Sequence, residues 1–410
     1  MPKVAVIGAG SAGIEAAEVA ARNGAHVVIF EEGGRIPAPK STWPSLLDAQ
    51  DRRRAKRAES SMASAGAELE LNQHVSKVRD DLTLTAGGRP VKFDAVIISS
   101  GSTALPERLE GNRKPGVHIL NSEAAFAELG QKLDGYGKAI VSGAGPVAVE
   151  VAEKLRSRRL AVSMVAPGGI LPTLNSSPRK MVAEALSALG VQVIDARPQK
   201  VAGVERVEAV VASGEVIPGD CFVVVPRPVP CIPEVHADLG RSGGLLVDGR
   251  MQSSLKSVYG AGDCAEVSLE GTAISVMFES SAKLMGAVAG ANASGRVATA
   301  SVAGSFFMDL MGVGVASTGL GLAEAAGLGL DAAESSKSWK GELACSVVYV
   351  RGTRTVVGVQ MAGKGVARFA ESLPVIVAAR MTIDQLAYQE TLSIDISPIT
   401  ETAREGSMRQ

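Results

Sequence analysis

The sequence predicts an α/β fold, and three observations predict it. A strand, a glycine loop, a helix and a second strand follow one another within residues 4–31. The same order recurs within residues 139–165. Further strands and a helix beyond residue 299 add a C-terminal α+β domain. A short apolar run that ends abruptly on glycine is the pattern of a parallel strand buried on both faces.

The first unit opens with Val4-Ala5-Val6-Ile7 and runs into Gly8-Ala9-Gly10-Ser11-Ala12-Gly13. A helical stretch follows to about Ala21, then a second strand from His26 to Phe30, ending on Glu31. Each position has a physical reason. Gly8 makes the tight turn, Gly10 lets a pyrophosphate touch the backbone, and Gly13 lets helix and strand pack closely. Ser11, Ala12 and Gly13 open the helix, where free N–H groups and the positive end of the dipole face the phosphates. The Glu31 carboxylate is placed to accept both hydrogen bonds of an adenosine ribose diol. A glycine turn without a ligand is the bland alternative, and the strand and acid in the expected places weigh against it.

The second unit has Ala139-Ile140-Val141-Ser142 as its strand and Gly143-Ala144-Gly145-Pro146-Val147-Ala148 as its loop, with alanine at the third glycine position. Its second strand, Leu160 to Val165, is followed by Ala166-Pro167-Gly168, so the ribose acid is missing. That leans towards NADPH, while Arg156, Arg158 and Arg159 precede the strand and assure no 2′-phosphate clamp; NADH stays open. Together the two units predict two Rossmann-like dinucleotide-binding domains.

Composition sets outer limits. The chain has 410 residues, room for two or three domains. Lys and Arg number 42 and Asp and Glu 43, for a net charge of −1, which gives no electrostatic footprint for nucleic acid. Apolar residues at 46% allow a large core, and 46 glycines with only 3% aromatics suit close backbone approach to a large ligand rather than base stacking. No apolar stretch is long enough to span a bilayer, and a cytoplasmic location is expected. The four cysteines, Cys221, Cys231, Cys264 and Cys345, have neither CxxC nor zinc-finger spacing.

Between and after the glycine loops lie two more strand-to-glycine turns. One is Asp94 to Ser100 closing on Gly101; the other is Ser257-Val258-Tyr259-Gly260-Ala261-Gly262-Asp263. With these in place the sequence resembles the FAD/NAD(P)-linked pyridine nucleotide–disulfide oxidoreductase superfamily, nearly end to end. The resemblance implies FAD in the first unit, with Asp263 on the ribityl chain, and NADH or NADPH in the second. It implies an FAD domain at 1–108 and 226–298, a nicotinamide domain at 109–225 and a dimerisation domain at 299–410. The last segment, with Val315 to Leu320 and Thr382 to Leu386, looks like the NADH oxidase and coenzyme A-disulfide reductase branch. A homodimer is implied, with residues near Tyr388 reaching the partner.

The departures concern thiol chemistry. Those relatives carry a redox cysteine some ten residues after the ribose acid, yet Gly33 to Pro44 contains none, and the first cysteine is Cys221. The C-terminal histidine that protonates a leaving thiol is absent from Gln389 to Ser393. The resemblance keeps Lys40, matching a lysine beside the flavin N5, and Glu150 on the second helix as its carboxylate partner. An ammonium there stabilises negative charge on reduced flavin. An exposed loop lysine and a solvated helix glutamate are the alternatives. A Cys221–Cys231 pair is disfavoured by poor geometry. The basic run Asp51 to Arg57 reads as a solvated helix face, or as a docking patch for an acidic protein carrier or for the phosphates of coenzyme A.

The expected activity is therefore an FAD-dependent NAD(P)H oxidoreductase that passes hydride from nicotinamide to flavin and on to an acceptor meeting the flavin directly. Oxygen, a quinone-like molecule or a small electron-carrier protein are the candidates. The alternatives are a coenzyme A-disulfide, persulfide or polysulfide reductase-like enzyme, and an FAD-binding electron-transfer or redox-sensing dimer with little turnover.

Overall fold

A computed structural model describes residues 1–48, 66–104, 109–269, 271–389 and 396–408. The basic run at 51–57 lies outside them. The chain divides into two compact units. The first takes the described parts of residues 1–43, 50–105 and 227–304; the second takes 44–49, 106–226 and 305–410.

In the first unit, β1 (Lys3–Ile7), α1 (Ser11–Arg22) and β2 (His26–Glu31) form the first dinucleotide motif. The parallel sheet runs in the order Val258–Gly260, Ala95–Ile98, β1, β2, Glu68–Leu71. Strand order reverses beside β1, which leaves a crevice at the carboxyl ends of β1 and Ala95–Ile98, where ligands bind in such sheets. Val4, Ala5 and Val6 are fully buried, as a strand covered on both faces requires. The helix Glu279–Ala293 lies against α1 through glycines. A Cβ on Gly286 would stand 2.2 Å from the Ala12 carbonyl oxygen, and one on Gly290 would stand 2.3 Å from that of Ala16. Part of the glycine excess thus serves helix contact rather than phosphate binding.

The second unit contains β3 (Lys138–Ser142), α2 (Pro146–Ser157), β4 (Ala161–Val165) and β5 (Val191–Ile194). Its parallel sheet has the order β5, β4, β3, Cys221–Val224, Val117–Ile119. The same unit holds a five-stranded antiparallel sheet in the order Ser305–Leu310, Val313–Gly319, Val356–Gly363, Leu343–Val350, Ala332–Trp339. Of this sheet, Val313–Gly319 is buried along its centre.

A buried polar network holds the segment before the helix Ser176–Ala188 against the antiparallel sheet. The Asn175 amide nitrogen donates to Gln360 Oε1 at 2.7 Å, and its Nδ2 donates to Ser346 Oγ at 2.6 Å. Asn175 Oδ1 accepts from the Leu322 N–H at 2.8 Å, and Gln360 Nε2 donates to the Thr173 carbonyl at 2.8 Å. Asn175, Gln360 and Ser346 are all buried, so such a network is stabilising only because its members find partners. Thr382 caps the helix Ile383–Ala387 with Gln385 reaching back, as a capping box does.

Candidate functional site

The first glycine loop has the shape a pyrophosphate needs. Gly8 has φ +97°, closed to most side chains, and a Cβ there would meet the Ser99 carbonyl oxygen at 2.6 Å. A Cβ on Gly13 would stand 1.9 Å from the Gly8 carbonyl oxygen, so this glycine is the close-packing one. A Cβ on Gly10 would meet nothing within 4 Å. The open side of Gly10 is the room that a phosphate requires against the backbone. Ser11, Ala12 and Gly13 form the first turn of α1, and no side chain caps its Gly10 end, so the N–H groups are left for an anion.

Glu31 ends β2 with its carboxylate fixed from two sides. Ala9 N–H donates to Oε2 and Gly33 N–H to Oε1, each at 2.8 Å. A carboxylate has about four acceptor positions, so capacity for a ribose diol remains. Gly262 sits against α1, where its Cβ would be 3.0 Å from the Ala12 Cβ. Ala261 N–H donates to the Ile98 carbonyl at 2.9 Å, and Ser99 Oγ donates to the Ile7 carbonyl at 2.9 Å. The Gly-Asp turn, the Ile98–Gly101 turn and the first turn of α1 therefore converge. These residues fit FAD: an open glycine turn at a helix start, a carboxylate with free acceptor capacity and an aspartate come together at the carboxyl ends of the central strands.

Lys40 enters the same place from the loop after β2. The Trp43 indole N–H holds that loop, donating to the Ala38 carbonyl at 3.0 Å. Lys40 Nζ donates to Asp263 Oδ2 at 2.9 Å and to Ser102 Oγ at 2.5 Å; Ser102 Oγ in turn lies 2.7 Å from Asp263 Oδ2. Sequence reasoning assigned Lys40 and Asp263 to one cofactor but not to each other. Within its own unit, the carboxylate that pairs with Lys40 is Asp263. Ser102 was missed, and its only signal was its place directly after Gly101. The lysine side chain is 46% exposed, and an ion pair this open contributes roughly 0–1 kcal/mol. Stability does not require Lys40 to stay there.

In the second unit the loop repeats the first. A Cβ on Gly145 would meet nothing within 4 Å, and Pro146 takes the first helical position of α2, with Val147 next. Gly143 N–H donates to the Val165 carbonyl at 3.2 Å, as Gly8 N–H does to Phe30 at 2.8 Å. Glu150 lies one turn further along α2. Burial, and then the neighbouring Glu153, push its carboxyl up to about 7, with Lys154 opposing. It therefore exchanges its proton near neutrality.

Cys221, Cys264 and Cys345 are buried and free. Burial pushes Cys221 and Cys345 up to about 12 and Cys264 up to about 11, so none is a thiolate at neutral pH. Cys231 is free and exposed. Its amide donates to the Gly101 carbonyl at 3.0 Å, beside the strand pair formed by Ser102–Ala104 and Pro228–Pro230. Among the described residues, no helix is long and apolar enough to cross a membrane.

Comparison with known proteins agrees with this layout. An NADH oxidase of Streptococcus pneumoniae is 26% identical over 83% of this chain and 80% of its own length. An NAD(P)H coenzyme A polysulfide/persulfide reductase of Pyrococcus horikoshii is 25% identical over 80% of this chain and 78% of its own. The structure of an NAD-dependent persulfide reductase from A. fulgidus superposes with a TM-score of 0.87 at 23% identity, covering 99% of this chain and 83% of that one. The family described as pyridine nucleotide-disulphide oxidoreductase matches residues 2–303, a stretch that takes in both glycine loops and the Gly-Asp turn. The chain belongs to that family, as an oxidoreductase that works with FAD and NAD(P)H.

Proposed function

We propose that the enzyme passes electrons from NAD(P)H through FAD to an acceptor that meets the flavin directly, with no redox-active cysteine in the path. One observation carries this reading: the segment Gly33 to Pro44 brings a lysine, not a thiol, to the Gly101 and Gly262-Asp263 turns. Bound FAD supplies the two-electron exchange with nicotinamide and the release of electrons to a one- or two-electron acceptor. Lys40 places positive charge where negative charge develops, and moves to it from Asp263 at little energetic expense. Glu150 acts as the carboxylate of the second unit that holds or yields a proton near neutral pH. Oxygen, a quinone-like molecule or a small electron-carrier protein fill the acceptor role. A homodimer is part of the proposal, supported by the exposed Val375 and Tyr388 in the C-terminal segment.

Anaerobic reduction of the FAD-loaded protein tests the reading. NADH or NADPH should bleach the flavin without a long-wavelength thiolate-to-flavin band. Rapid reoxidation in air marks an oxidase, and slow reoxidation marks a reductase with another acceptor. A thiolate band, or no bleaching with either nucleotide, overturns the proposal.

A second reading has its own observation. Cys231 is exposed beside Gly101, and the matched relatives include persulfide reductases. A persulfide or coenzyme A-disulfide substrate would use that thiol, and Cys231→Ser would then abolish turnover with persulfides.

A further inference from the structure

The second glycine loop has a carboxylate after all, and it comes from a different strand. The two units align residue by residue. Ile7 pairs with Phe30 as Ser142 pairs with Val165, so Ala166 stands where Glu31 stands and Gly168 where Gly33 stands. In the first unit the Gly33 N–H donates to the Glu31 carboxylate at 2.8 Å. In the second, the Gly168 N–H donates to Asp195 Oδ1 at 2.8 Å. Asp195 follows β5, which pairs with β4 in parallel, and Ala166 N–H donates to the Ile194 carbonyl at 3.0 Å. Leu171 N–H donates to the Ala144 carbonyl at 2.6 Å, which folds the loop after β4 back onto the glycine loop. The same amide of the same turn is thus satisfied by a carboxylate in both units.

We propose that Asp195 supplies, from the neighbouring strand, the ribose-binding carboxylate that β4 lacks, and that it makes the second site select NADH over NADPH. This rests on the reading of the second loop as the nicotinamide dinucleotide site. Asp195 is exposed, with one oxygen engaged by Gly168, so acceptor capacity remains for a ribose diol. A 2′-phosphate in that place would face like charge. Two of the three arginines before β4 are engaged elsewhere. Arg156 donates to the carbonyls of Leu189 and Leu160, and Arg158 to Asp134 and to the Leu47 carbonyl. Leu160 precedes the first residue of β4, so Arg156 is anchored at the end of the strand away from the glycine loop. On this proposal the lean towards NADPH that the missing acid suggests in sequence is reversed.

The test is calorimetric titration of the FAD-loaded protein with ADP-ribose and with 2′-phospho-ADP-ribose, neither of which transfers electrons. The native protein should bind ADP-ribose at least about tenfold more tightly, and added salt should narrow the gap, as for one exposed like-charge contact. Asp195→Asn keeps an oxygen for the Gly168 N–H and removes the charge; it should bring the two affinities to within about threefold. Asp195→Ser is the second variant, and FAD content and thermal unfolding establish that each variant is folded. An unchanged ratio in folded variants, or native binding that favours the 2′-phosphate, overturns the proposal while leaving the site reading intact. Failure of both compounds to bind the native FAD-loaded protein overturns the site reading and this proposal with it.

Discussion

The two glycine loops are built alike at their first two glycines, and they part at the third loop position and at the end of the second strand. In both, the first glycine N–H donates to the strand carbonyl opposite, and the middle glycine faces open space. The first unit then closes its turn with its own Glu31, whereas the second borrows Asp195 from the next strand. The third loop position differs as well. Gly13 is pressed against the Gly8 carbonyl oxygen, while the second unit has room for Ala148, which is fully buried. The same task can therefore be met locally or across strands, and the local solution packs more tightly.

The largest expected effect comes from that third position. Gly13→Ala places a methyl 1.9 Å from a backbone oxygen that belongs to the phosphate turn itself. Relief requires α1 or the loop to move, which costs about 3 kcal/mol or more and spoils the FAD cradle. The reciprocal change, Ala148→Gly, removes one buried methyl and adds a helix glycine, a loss of about 1–2 kcal/mol with FAD retained. Thermal unfolding and flavin content after purification read both. Equal losses in the two variants would erase the distinction between a tight first loop and a roomier second one.

A smaller effect separates the units by pH. Burial and Glu153 raise the Glu150 carboxyl from 4.5 to about 7. The folded chain then holds this proton more tightly than the unfolded chain does. Its stabilising contribution is complete below about pH 4.5 and is lost as the pH rises through about 7. Glu150 is partly exposed, so the loss should be roughly 2 kcal/mol between pH 5 and pH 8, less than the full shift would give. Glu150→Gln should remove that part of the slope in denaturant unfolding measured at the two pH values. A slope identical to that of the native protein would place the carboxyl in water and take away its role as a proton-exchanging group.

What sequence made legible follows the same division between local and remote. Gly8, Gly10, Gly13 and Glu31 lie within one strand–helix–strand length, and their spacing is itself the constraint, so the pattern can be read without the fold. Gly262 and Asp263 were readable for a similar reason: they follow directly on the strand Val258–Gly260. Asp195 was not, since nothing near it in sequence marks its approach to Gly168; only the parallel pairing of β4 and β5 does. The same holds for Ser102 against Lys40 and Asp263, and for Asn175 against Gln360 and Ser346. Each of those contacts joins residues far apart in sequence, and nothing local to either partner marks the other. Gly286 and Gly290 show the converse. They look like ordinary helix-weakening residues until α1 is laid against them.

Lys40 offers the smallest effect on stability and the sharpest one on function. In the structure its ammonium shares Asp263 with Ser102 and is nearly half exposed. Lys40→Met removes one exposed ion pair, so the melting transition should shift by less than about 1 kcal/mol equivalent. Removing a cation from the place where charge develops should slow NADH-driven bleaching of the flavin by roughly tenfold to a hundredfold. Asp263→Asn should behave differently, because it removes the lysine's resting partner and the expected ribityl contact together, and FAD retention should fall with it. If Lys40→Met instead loses FAD and reduces at the native rate, the lysine belongs to the cofactor's anchorage. The first unit would then bind its flavin with a lysine as well as with its glycines and its acid, and the charge-stabilising role assigned to Lys40 would fall.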